Sequence, residues 1–134
     1  MWEDGSLLSV ASESFIKAPS YAARLRAFQV WLEATLEASG AKVIAYEEPT
    51  AQFRSHAKLA FGMMAIIELA AIRLGCKTFP IHPTRIKKVV TGTGKATKEE
   101  VIQEVAKRYP GHGELTSDEA DAVAIGVAYY KLHI

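Results

Sequence analysis

Apolar residues recur along this chain in two rhythms. Tyr21, Leu25, Phe28, Leu32 and Leu36 fall at intervals of three and four, while Arg26, Glu33 and Glu37 lie on other faces. That spacing predicts an amphipathic helix opening at Pro19-Ser20 and closing at Gly40. A second helix is predicted from Ser55 to Leu74, dense in Ala, Met, Ile and Leu; its charges at Arg54, Lys58 and Glu68 share one narrow arc, so most of its circumference needs cover from a core or a partner. Short apolar runs read as strands: Ser6 to Ile16 with partial alternation after the Asp4-Gly5 turn, Lys42 to Tyr46, and Cys76 to Ile81. Thr97-Lys98-Glu99-Glu100 and Thr116-Ser117-Asp118-Glu119 are capping boxes. The first begins a helix on Val101, Ile102, Val105 and Tyr109, which Pro110-Gly111 breaks. The second opens a last helix that runs from Ala122 to Tyr130 without a charge and is therefore expected to be deeply packed. Strands alternating with helices predict an α/β fold with some parallel pairing.

Composition narrows the class. At 134 residues, 49% hydrophobic and 23% charged, the chain is expected to be one globular domain that folds without staples. A single cysteine, Cys76, excludes an internal disulfide and suits a reducing compartment, so a cytoplasmic location is expected. No apolar run approaches the ~20 residues that span a bilayer, and Met-Trp-Glu-Asp-Gly has neither part of a secretory signal.

The net charge of +1 hides a polarised chain. No acid occurs between Glu68 and Glu99, and Arg85 to Lys98 holds five cations: Arg85, Lys87, Lys88, Lys95 and Lys98. The rest of the chain carries 11 basic and 15 acidic residues. A basic loop rich in Gly and Thr is suited to phosphate contacts, and equally to being a solvated surface. Three acids stand where acids are costly. Glu47 ends an apolar strand, beside Glu48, and Asp118 and Asp121 share one face at the mouth of the apolar last helix. Capping and the helix dipole account for Asp118 alone, and a turn before Pro49 accounts for Glu47; Asp121 is explained less well by either. Carboxylates collected at strand and helix ends suit Mg²⁺ or Mn²⁺. Together with the cationic loop they are what two-metal phosphodiester hydrolysis needs.

At this point three segments resemble a known family. Ala45-Tyr46-Glu47-Glu48, the run from Arg85-Ile86-Lys87-Lys88 through Thr91-Gly92-Thr93-Gly94-Lys95 to Lys98, and Asp118-Glu119-Ala120-Asp121-Ala122 are similar to the RuvC Holliday junction resolvases and their phage-type relatives, in family order and spacing. The resemblance covers essentially the whole chain. It implies a ribonuclease H-like fold, a mixed central sheet flanked by helices. It also implies a homodimer through the helix near residues 55–74 and Mg²⁺- or Mn²⁺-dependent cleavage of branched DNA such as four-way junctions, with two ions per active site. By match to the family motifs, Glu47, Asp118 and Asp121 are expected to be catalytic metal ligands. Lys98 is expected at the catalytic centre, and Arg85, Lys87, Lys88, Lys95 and Lys98 on DNA. The family's first strand, with its Asp, has no counterpart here, so the chain reads as an N-terminally truncated single nuclease domain. A catalytically inactive DNA-binding dimer of the same fold is the alternative.

Other chemistries fail on pattern. Gly92-Thr93-Gly94-Lys95 is no nucleotide-binding loop, because Val89 and Ala96 stand where a Gly and a Ser or Thr are required. Cys76 and the four histidines lack zinc spacing, and no Gly-x-Ser-x-Gly element is present.

Overall fold

The computed structural model of the chain describes residues 1–11, 13–15, 17–50 and 54–133. These form two compact units, one of Met1–Ser12, Ala45–Glu47 and Pro80–Ile134, the other of Glu13–Ile44 and Glu48–Phe79.

The second unit is built on a helix pair. The first helix, Tyr21–Ser39 (α1), starts where the Ser20 side chain accepts from the Ala23 N–H at 3.1 Å and stops where Gly40 turns left-handed at φ 68°. Its stripe of Phe28, Leu32 and Leu36 is buried against the next helix, Arg54–Leu74 (α2), around Ala70, Met63, Ile66 and Ile67. Gly62 of α2 lies directly against α1, where any side chain would run into Tyr21 and Leu25. Arg73 spans the pair, 2.9 Å from Glu33 and 3.3 Å from Glu37. The Arg73 end of this network is open to solvent, so the pairs add little to stability. The apolar circumference read from the sequence of α2 is only partly covered: Phe61, Leu69 and Ile72 are exposed, Ile72 at 82%.

The first unit is organised by the last helix, Ser117–His133 (α5). Ala120, Val123, Ala124, Val127 and Ala128 are buried against Ile81, Ile86, Val90, Ala96, Val101 and Val105. The small residues of α5 let two further helices pack directly on it, Pro83–Thr91 (α3) and Lys98–Arg108 (α4). An N-terminal hairpin of Trp2–Glu3 (β1) and Ser6–Leu7 (β2) pairs Trp2 with Leu7 and Glu3 with Ser6. Asp4 and Gly5 both take positive φ, 48° and 81°, as a two-residue hairpin turn demands. Trp2 lies against Gly126 of α5 and meets Tyr109 edge-on, with ring centres 5.5 Å apart.

Two expectations change. The strand predicted over Ser6 to Ile16 ends at Leu7; beyond it the described residues are not strand, and Ser12 and Ile16 lie outside them. The apolar residues here alternate only in part, and with β1 just two residues long the pairing cannot extend. The basic stretch is also not one loop, since its first half is α3. Pro83 occupies the first turn, His82 caps the helix by accepting the Thr84 N–H on Nδ1 at 3.2 Å, and Gly92 closes it at φ 92°. The burial of Ile86 and Val90, one turn apart, holds it to the core.

Between the hairpin and α3, Val43–Glu47 (β3) and Lys77–Ile81 (β4) pair in a second two-stranded sheet. No helix among the described residues is long and apolar enough to cross a membrane.

Candidate active site

Every residue of the site lies in the first unit. Glu47 is the last residue of β3, where the strand leaves the apolar interior. Asp121 stands one turn into α5, just before the buried run that begins at Val123. The two acids are far apart in sequence, yet both line one shallow depression. Lys87 of α3 shares it, and Pro83, Ile86, Val101, Ala124 and Ile125 form its apolar walls.

The walls give this depression its electrostatics. Glu47 as a residue is exposed, but its carboxylate leans against those walls. Partial desolvation is the larger cause that pushes its pKa above the ordinary value, and the like charge of Asp121 adds to it. Lys98, Lys87 and His82 pull the other way, in that order. Lys98 also pairs with Asp121, Nζ to Oδ2 at 3.2 Å, with both side chains about half in solvent at 55% and 42%.

Two carboxylates held together against their repulsion, with hard oxygen donors at a solvent-open rim, are chemically suited to a divalent cation such as Mg²⁺. Bringing a cation between them would remove the repulsion that raises Glu47. The chemistry of these two donors is compatible with such an ion.

Asp118 is placed differently. It is exposed in the first turn of α5, on the same side as Asp121, but does not line the depression. Among the described residues no three His, Cys, Asp or Glu side chains are arranged to hold a metal. Asp118 is nevertheless not needed as a cap. The Thr116 hydroxyl accepts from the Glu119 N–H at 3.2 Å and the Glu119 carboxylate accepts from the Thr116 N–H at 2.9 Å, so the capping box is complete without it. Glu48, next to Glu47, is exposed and outside the depression.

The five cations divide into two sets. Lys87 and Lys98 attend the carboxylates. Arg85, Lys88 and Lys95 are exposed and carry no ion pair among the described residues. The turn that presents Lys95 is well fixed. Thr91 Oγ1 donates to the Lys87 carbonyl at 2.8 Å and accepts from the Thr93 N–H, Thr93 Oγ1 accepts from the Lys95 N–H at 3.2 Å, and Ala96 is buried. Gly94 sits so close to the methyl of Thr84 that any side chain there would collide with it. Arg108 secures the end of α3 by donating to the Val90 carbonyl at 2.9 Å.

His82 is the site residue that sequence reasoning missed. The available signal was His-Pro directly ahead of an apolar pair one turn apart, which marks an N-cap; its nearness to Glu47 is a tertiary fact.

The electrostatics give a direct expectation for stability. Because folding raises the Glu47 pKa, the charged carboxylate disfavours the fold, and stability falls as pH rises through the raised value. In chelator at pH 7, Glu47→Gln should therefore melt about 1–3 °C above the parent. The gap should close below about pH 4, where both side chains are neutral. Thermal unfolding followed by circular dichroism at the two pH values checks this.

Comparison with known proteins places the chain. The family model described as crossover junction endodeoxyribonuclease RuvC matches residues 3–129. The RuvC of Zymomonas mobilis is 28% identical over 134 residues, covering 98% of this chain and 80% of that protein. That of Xylella fastidiosa is 28% identical over 113 residues, but the match spans only 64% of its length. Among solved structures, Thermus thermophilus RuvC in complex with Holliday junction substrate superposes with a TM-score of 0.73 at 22% identity, over 85% of this chain and 70% of that one. The fold is thus that of RuvC, the ribonuclease H-like fold expected from the three motifs. With nearly the whole chain matched, the protein is a member of the RuvC family of crossover junction endodeoxyribonucleases.

Proposed function

We propose that this protein is a metal-dependent endonuclease that cuts branched DNA, four-way junctions above all, in recombination and repair in the cytoplasm. The observation that carries the proposal is the Glu47–Asp121 carboxylate pair in one open depression, with Lys87 in its lining and Lys98 paired to Asp121. Membership of the RuvC family supports it.

In this reading Glu47 and Asp121 hold the divalent cations, Mg²⁺ or Mn²⁺, with Asp118 contributing from the solvent side. Bound there, two such ions would activate water and stabilise the departing oxygen. Lys87, half-buried beside Glu47, aligns the phosphate to be cut. Lys98 meets the same phosphate from the start of α4. Arg85, Lys88 and Lys95 hold the flanking backbone as unpaired surface cations.

The exposed apolar face of α2 supports a homodimer, which would offer two sites to one junction. Ile72→Asp should then convert a dimer to a monomer, as measured by light scattering of the purified protein. An unchanged mass would exclude this face as the interface.

The test of the activity is incubation of the chain with a synthetic four-way junction in Mg²⁺ and in chelator, beside a linear duplex of matched sequence. Cleavage of the junction in Mg²⁺ alone is expected; equal cleavage of the duplex would refute branch selectivity. One observation favours the alternative, an inactive DNA-binding dimer: only two acids of the expected set come together among the described residues. Junction binding without cleavage in either metal would decide for it.

A further inference from the structure

The carboxylate pair is accompanied by a cation whose anchoring is unusually specific. Lys98 is the first residue of α4, and the capping box fixes that turn: Thr97 Oγ1 accepts from the Glu100 N–H at 3.2 Å and the Glu100 carboxylate accepts from the Thr97 N–H at 3.4 Å. Val101, one turn into the same helix, is buried at the wall of the depression. The backbone beneath Lys98 is therefore rigid, whereas its ammonium, 3.2 Å from Asp121, is half in solvent. An ion pair this exposed is weak and exchanges readily. Lys87 differs, being half-buried and lining the depression itself.

We propose that Lys98 is the resident counter-ion of Asp121 in the metal-free protein, and that a divalent cation must displace its ammonium, which frees it for a DNA phosphate. The proposal rests on the reading of Glu47 and Asp121 as metal ligands. It adds a coupling that neither ligand alone would create. A cation entering at Asp121 releases a positive charge on a fixed helix start, so metal and DNA should each favour the binding of the other. Before metal enters, the same lysine screens two acids that would otherwise repel, which lets the site fold without its ion.

The test is Mn²⁺ affinity of the full chain without DNA, measured from the free-ion electron paramagnetic resonance signal. Lys98→Met removes the competing charge, and the side chain is exposed, so the fold should be kept; circular dichroism confirms this. Lys98→Met should bind Mn²⁺ about three- to fivefold more tightly than the parent. Lys98→Arg, which keeps the charge, should stay within about twofold. Equal or weaker binding by Lys98→Met, with binding abolished in Asp121→Asn, would overturn the counter-ion role while leaving the metal site standing. No Mn²⁺ binding by parent or variant would overturn both.

Discussion

Asp121→Asn should lower Mg²⁺-supported cleavage of a four-way junction at least about 100-fold while leaving junction affinity in chelator nearly unchanged. The substitution keeps the size of the side chain and removes one of the two charges that meet in the depression. It leaves Lys98 without its partner, and it relieves the like-charge repulsion that raises Glu47. Loss of a direct ligand exceeds the 10–100-fold losses typical of groups that merely orient one. Asp118→Asn should cost less, about tenfold, because the Asp118 carboxylate lies outside the depression. Single-turnover cleavage of labelled junction with both variants measures the two effects together. Parent-like rates in Asp121→Asn would remove the metal assignment.

The second large effect concerns DNA affinity. Replacing Arg85, Lys88 and Lys95 together by Gln removes three exposed, unpaired cations and no buried contact. Each phosphate contact contributes a slope of about 0.9 in the dependence of log affinity on log salt, so the triple variant should lose about 2.7 of that slope. At low salt its junction affinity should fall on the order of 100-fold. Thermal stability should be unaffected, because what holds α3 is Ile86, Val90 and the His82 cap. Fluorescence anisotropy across a salt series measures slope and affinity at once. An unchanged slope would show that these cations face solvent rather than DNA.

The sequence carried the long elements and lost the short or tertiary ones. Both long helices, the strands β3 and β4 and both capping boxes follow from local rules: period, cap and breaker act within a few residues of one another. α3 was hidden because it has only nine residues and five hydrophilic positions among them, so charge dominated a pattern whose true markers were Pro83 and Gly92. The strand after Asp4-Gly5 was overextended, since alternation does not reveal whether a neighbouring strand exists to pair with. Chemistry was legible as residue types in order, from Glu47 through the cationic stretch to Asp121. Their meeting was not, because Glu47 and Asp121 are joined through the burial of α5 on α3 and α4, which no local pattern encodes. The half-solvated Lys98–Asp121 pair and the cap made by His82 are likewise products of that packing.

The most direct measurement is the mapping of cut sites on a four-way junction labelled in each strand, after reaction with the full chain in Mg²⁺. A metal-dependent resolvase working at Glu47 and Asp121 should leave paired nicks in two opposing strands near the branch point, absent in chelator and in Asp121→Asn. Scattered cleavage along the arms, or nicks that persist in Asp121→Asn, would contradict it.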